Sequence, residues 1–236
     1  MEQRKHLIAA AVLALALLGG CRTTATGAAL SDPGTTSPMN DRQRMRAEEW
    51  ARATEGLKFA GAGELVEVRR FPSADALAAD THLAQGAELM ELNRVMDAME
   101  QYTLAARTDP RRADAYVGLG VALEIKGKLD HAIASFRTAI DRDEQHVDAR
   151  YRLAVALWAA AEQAQALDEM NTVVALDDEY DAAHERLAVW NYYTEDYAVA
   201  WLHLHRAQSL GGELPAQLAP LLQAKISDPG DGATPP

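Results

Sequence analysis

The side chains able to do chemistry in this chain are few, and their spacing keeps them apart. The seven histidines are His6, His82, His131, His146, His184, His203 and His205. A metal pair on a helix needs ligands three or four residues apart, because only those share a face. His203 and His205 stand two apart and point in different directions, and Ala188 rather than a histidine follows His184 by four. No glycine-rich stretch has the spacing of a phosphate cradle, and no serine stands in a nucleophile turn. Acidic pairs such as Asp177-Asp178 fall at the ends of apolar segments, where solvation is expected. The expectation is a chain without enzymatic activity, metal or bound cofactor. One reactive group remains. Cys21 is the only cysteine, which rules out internal disulfides. It directly follows Leu18-Gly19-Gly20, at the end of an apolar run from Leu7 to Leu18 that Arg4 and Lys5 precede. A run of that length suits the core of a secretory signal and is too short to span a bilayer.

The elements that would position any site follow from a 34-residue period running from Ala79 to Leu214. Four blocks cover 79–112, 113–146, 147–180 and 181–214. Position 8 holds Gly86, Gly120, Ala154 and Ala188; position 20 holds Ala98, Ala132, Ala166 and Ala200. Position 27 holds Ala105, Ala139, Val173 and Ala207, and position 24 holds Tyr102, Phe136, Met170 and Leu204. Apolar residues recur every three or four positions within each block, as a helix requires. Small residues at 8 and 20 let two helices approach closely while a bulky residue at 24 fills the space between them. Asp114, Asp148 and Asp181 read as N-caps of the first helices. This pattern resembles the tetratricopeptide repeat family, most closely in the second block, where Tyr116, Leu119, Gly120, Leu123, Ala132, Phe136 and Ala139 fall in place. Pro110 stands where that family ends its second helix. The resemblance implies an all-α fold: a right-handed α-solenoid of four helical hairpins, stabilised by stacking of neighbours.

Flanking segments are read from composition and spacing. Residues 41–78 form an N-terminal helical segment, with a helix expected from Arg42 to Phe59. Residues 61–72 fit either a short extended piece or a further helical partner. Arg42, Arg44 and Arg46 are followed by Glu48 and Glu49, which reads as a solvated face. Pro215, with Leu218, Leu221, Leu222 and Ile226 at helical spacing, predicts a capping helix over 215–226. Residues 227–236 are rich in Asp, Gly and Pro and read as a disordered tail.

Residues 1–20 read as a signal peptide, and Leu18-Gly19-Gly20-Cys21 resembles the lipobox of bacterial lipoproteins. The resemblance implies cleavage before Cys21 and a covalent lipid on its thiol, with several acyl chains giving stable anchoring. Arg22, in place of aspartate, implies sorting to the outer membrane on its periplasmic side. Residues 21–40 then form the lipidated cysteine and a flexible tether, rich in Thr, Gly, Ala, Ser and Pro. The formal charge of the chain is −12, and residues 1–20 contribute +1 through Glu2, Arg4 and Lys5, so the mature chain carries about −13. Such a field repels nucleic acid.

In the family that this chain resembles, ligands meet positions 2, 5, 9 and 12 or 13 of each block, on the inner face. This selects Val117, Val121 and Glu124, then Tyr151, Val155 and Trp158, then Glu185, Val189, Tyr192 and Tyr193. Tyr151, Trp158 and Tyr192 are expected to be exposed for binding. The lysine and asparagine set by which chaperone-binding members grip a terminal carboxylate is missing; Leu83 and Ala87 stand in its place. The aromatic fourth block (Trp190, Tyr192, Tyr193, Tyr197, Trp201) reads either as packing for the capping helix or as a self-association surface. The expected function is that of a membrane-anchored adaptor whose partners are another envelope protein or peptide segment and, through the anchor, the bilayer. Assembly of a pilus or secretion machine, a scaffold for peptidoglycan enzymes and a self-associating envelope component all fit. Partner, pathway and oligomeric state stay open at this point.

Overall fold

The computed structural model describes residues 39–61, 63–71 and 74–230; the expectations for residues 1–38, Cys21 among them, and for 231–236 lie outside the described residues. The described chain runs α1 (Asp41–Ala53), β1 (Leu57–Phe59), β2 (Leu65–Val68), and then eight helices in antiparallel pairs. The pairs are α2 (Ala76–Glu91) with α3 (Val95–Thr108) and α4 (Ala113–Ile125) with α5 (Leu129–Arg142). The next two are α6 (Val147–Ala159) with α7 (Gln163–Leu176) and α8 (Asp181–Tyr193) with α9 (Tyr197–Leu210). A short α10 (Leu218–Gln223) closes the order.

Every residue at positions 8, 20, 24 and 27 of the four blocks is buried. The glycines at position 8 are needed for their size: a Cβ on Gly120 would meet the Phe136 ring at 2.4 Å, and one on Gly86 would meet Tyr102 at 2.6 Å. Gly118 lies equally close to the same Tyr102 ring, so this side chain wedges between the first and second hairpins.

The turns repeat as faithfully as the core. Within each hairpin the first helix ends on one left-handed residue at position 15: Asn93 (φ 56°), Gly127 (φ 70°), Ala161 (φ 64°) and Glu195 (φ 67°). The next N–H then reaches back five residues, as from Arg94 to the Leu89 carbonyl at 2.8 Å and from Glu162 to the Leu157 carbonyl at 2.9 Å. This is a Schellman closure, which satisfies the last carbonyls of the helix. Between hairpins the second helix stops at an extended aspartate at position 31, whose Oδ1 accepts the N–H two residues on. Asp109 takes it from Arg111 at 3.2 Å, Asp143 from Gln145 at 3.1 Å and Asp177 from Glu179 at 3.1 Å. Asp177 is therefore a turn-former rather than a freely solvated acid. The fourth block has left-handed Gly211 at this position, and there the stack ends.

The aspartates expected as N-caps stand inside the first turn instead. The caps are Arg112, His146 and Tyr180. Asp114 accepts from His146 Nε2 at 3.2 Å, Asp148 from Arg152 Nε at 2.8 Å, and Asp181 from the Ala182 N–H at 2.7 Å. Their charge still suits the positive helix end.

The N-terminal segment departs from the expected helix. It stops at Ala53, Gly56 turns the chain at φ 90°, and Leu57–Phe59 pairs with Leu65–Val68 as an antiparallel hairpin with a bulge. Helix and hairpin lie across the second helices of the first two blocks, as a strap over the outer face. Thr103 Oγ1 donates to the Ala53 carbonyl at 2.7 Å, and Arg107 donates to the carbonyls of Glu55 at 3.0 Å and Arg69 at 3.1 Å. Trp50 and Phe59 both pack on the His131 ring. Only the last turn of α1 is held this way; residues 41–49 are exposed.

At the other end α10 is shorter than the 215–226 expected. Leu218 and Leu222 are buried with Tyr192, Trp201 and Leu204, whereas Leu221, expected to pack, is 37% exposed. No helix among the described residues is long and apolar enough to cross a membrane.

Candidate partner-binding groove

The first helices of the hairpins, α2, α4, α6 and α8, line the inner face. Val121, Val155 and Val189 occupy position 9 of successive blocks and are half-buried, forming a strip across three hairpins. Beside it Trp158 stacks on Trp190, ring centroids 4.5 Å apart and planes 1° from parallel. Tyr151 leans on Tyr180 at 5.2 Å. Both aromatics are half-buried, so each keeps a face toward the groove while its neighbour fixes its orientation.

Two expected groove residues are withdrawn. Val117, 8% exposed, packs with Ala106, Ala113 and Ala149, and Leu83 lies against the same cluster. Tyr192, 9% exposed, joins the cluster under α10 and lies near Tyr193 and Tyr197. Its expected exposure fails because the C-terminal helix covers that end of α8. Trp190 and Trp201 are buried too, so most of the fourth-block aromatics serve packing rather than an open self-association surface.

The acids of the groove differ in how they are answered. Asp80 pairs with Arg112, Asp114 with His146 and Asp148 with Arg152. Burial raises the Glu185 carboxyl above its ordinary value, and the Glu213 backbone N–H beside it partly offsets this. Burial likewise raises Glu124, with the Arg152 charge working in the other direction. Leu83 is half-buried and Ala87 exposed on α2, so no carboxylate clamp forms there.

A tetratricopeptide repeat profile matches residues 83–145 and again 126–183. Over these residues the chain is similar to tetratricopeptide repeats. Among solved structures, the crystal structure of MamA is similar at TM-score 0.53 and 20% identity, over 56% of this chain and 78% of that one. A tetratricopeptide repeat protein from Parabacteroides merdae reaches 0.55 at 16% identity, over 62% and 59%. The first tetratricopeptide domain of Spaghetti, bound to an HSP90 peptide, reaches 0.51 at 17% identity, over 53% and 99%. At such identities the likeness is one of fold. No curated protein matches the chain.

The tetratricopeptide hairpins also carry a device that spacing along one helix does not reveal. Positions 4 and 23 face each other across each hairpin, nineteen residues apart in sequence. In the first repeat His82 Nδ1 meets Gln101 Oε1 at 2.8 Å; in the third Arg150 pairs with Glu169 at 2.8 Å. In the fourth, His184 Nδ1 meets His203 Nδ1 at 2.9 Å with both rings buried. The His184 Nε2 faces the Asp178 carbonyl at 3.1 Å and must donate to it, so its Nδ1 accepts from His203. Burial, and next the neighbouring His184, lower His203 to about 4; burial lowers His184 as well. The second repeat has no such clasp: Tyr116 donates to the Pro110 carbonyl and Ser135 to that of His131. Residues along one helix, such as His184 and Ala188, carry no sign of this pair; polar residues recurring at positions 4 and 23 of the repeats do. Among the described residues no group of three His, Cys, Asp or Glu side chains could hold a metal.

Proposed function

We propose that the protein is a lipid-anchored adaptor of the bacterial envelope. It captures a segment of another envelope protein on the inner face of its repeats. The observation that carries this reading is the half-buried strip Val121–Val155–Val189 with Trp158 held flat against Trp190. An apolar strip set on a curved wall of helices, with an oriented aromatic beside it, suits a peptide segment better than a small molecule. The peptide-bound domain of Spaghetti is a protein of the same fold that holds a partner segment. The signal-like start and Cys21 supply the anchor, and Arg22 favours the outer membrane with the repeats in the periplasm. Assistance to a pilus or secretion machine fits this placement.

The test is a cross-linked pull-down from native envelopes, made with the wild-type chain and with Tyr151→Ala/Trp158→Ala. Loss of the captured partner with helicity intact supports the groove. Equal recovery by both chains refutes it.

A further inference from the structure

The carboxylates at positions 2, 5, 9 and 12 of the four repeats are Asp80, Asp114, Asp148, Glu185 and Glu124. Asp80, Asp114 and Asp148 have cationic or histidine partners within the chain, and Glu185 has a backbone N–H. The Glu124 carboxylate alone has no hydrogen bond and no ion pair among the described residues, although it is half-buried. The opposing charge that acts on it, Arg152, is shared with Asp148, which it pairs with at 2.8 Å. A carboxylate drawn partly out of water with only a shared counter-charge is unfavourable, and a cation brought by a ligand reduces that cost. Its surroundings say what must accompany the cation. Val121 lies one turn before it on α4, and Trp158 stands at the same repeat position on α6, with Val155 one turn before.

We infer that the groove takes a protein segment carrying a lysine or arginine, whose cation meets Glu124 while an adjacent apolar side chain lies on Val121 and Val155 beside Trp158. This rests on the groove reading above and adds the charge class of the partner. It is the reverse of an acidic-tail site. The formal charge of −12 draws such a segment in from a distance.

The experiment is selection of a random peptide display library on the full-length, detergent-solubilised protein, followed by anisotropy titration of the selected peptides. Selected peptides are expected to carry Lys or Arg next to an aliphatic or aromatic residue. Glu124→Gln should weaken them about tenfold or more, and Trp158→Ala should weaken them whatever their charge. Selected peptides that are acidic or uncharged, or that bind Glu124→Gln as well as wild type while Trp158→Ala weakens them, overturn the charge inference and leave the groove standing. Affinities unmoved by either substitution, or a library that gives no binder, overturn the groove reading itself.

Discussion

At Gly120 the backbone passes so near Phe136 that a methyl group has no room: the added carbon would sit 2.4 Å from the ring. Phe136 is fully buried and cannot swing away. Gly120→Ala should therefore cost about 1–3 kcal/mol by overpacking, read from urea unfolding. The left-handed turn residues predict the opposite sign. Ala161 (φ 64°) and Glu195 (φ 67°) hold a conformation that their side chains disfavour, while Gly127 fills the same position without strain. Ala161→Gly should stabilise the chain by about 0.5–1 kcal/mol. The close-packing residues could be read from sequence because size is what they supply, and size recurs visibly every 34 residues. Turns are legible at Lys126-Gly127-Lys128 and Glu195-Asp196, but residue type favours the left-handed conformation itself only at Asn93 and Gly127. At Ala161 and Glu195 packing on both sides imposes the geometry and the residue type carries no sign of it. In the groove, Val121, Val155, Tyr151 and Trp158 could be placed from their positions, but Val117 and Tyr192 could not. What buries those two is a neighbouring repeat and a covering helix, and neither is encoded locally.

The first, third and fourth hairpins are each fastened by a polar clasp, and only the fourth uses two histidines. In an unfolded chain a histidine titrates near 6.5. In this hairpin His203 titrates at about 4, because its ring is buried and faces a second imidazole. Between those two values the unfolded state binds more protons, so stability falls as the pH drops from 6.5 toward 4 and is full above 6.5. The loss amounts to about 3 kcal/mol over the window. Asp178 and Arg206 are the charged groups facing the pair, and their charges act in opposite directions. His203→Gln copies the His82–Gln101 clasp of the first repeat and should abolish most of this dependence. Thermal unfolding at pH 7 and pH 5 would decide it: a midpoint difference that survives His203→Gln rules the clasp out as its source. The other element that sequence concealed is the strap. Leu57–Phe59 continues the apolar spacing of α1, and so short a run does not distinguish strand from helix. Trp50→Ala, which removes a ring lying on His131 and under the Lys128 ammonium, should cost about 2 kcal/mol in urea unfolding.

Across the molecule, stability is a sum of neighbouring contacts, so the two ends are where it is weakest and where covers matter most. The strap binds the outer side of the first two hairpins, and α10 binds the fourth. Membrane placement belongs to this scale as well. Cys21→Ser should shift the protein from the membrane fraction to the soluble fraction on envelope fractionation, and unchanged sedimentation would refute the anchor. The overall architecture was legible because a period of 34 residues is global information present in every local window. Where the chain breaks that period, before Ala76 and after Leu210, reading by period had nothing to follow.

The strap's position has a mechanical consequence. A chain held by its leading end is loaded at α1, through the Thr103–Ala53 bond and the Trp50 contact, on the side away from the inner wall. Tension would peel that buckle first and lengthen the leash, while the hairpins behind it, and whatever cargo they grip, go unstrained.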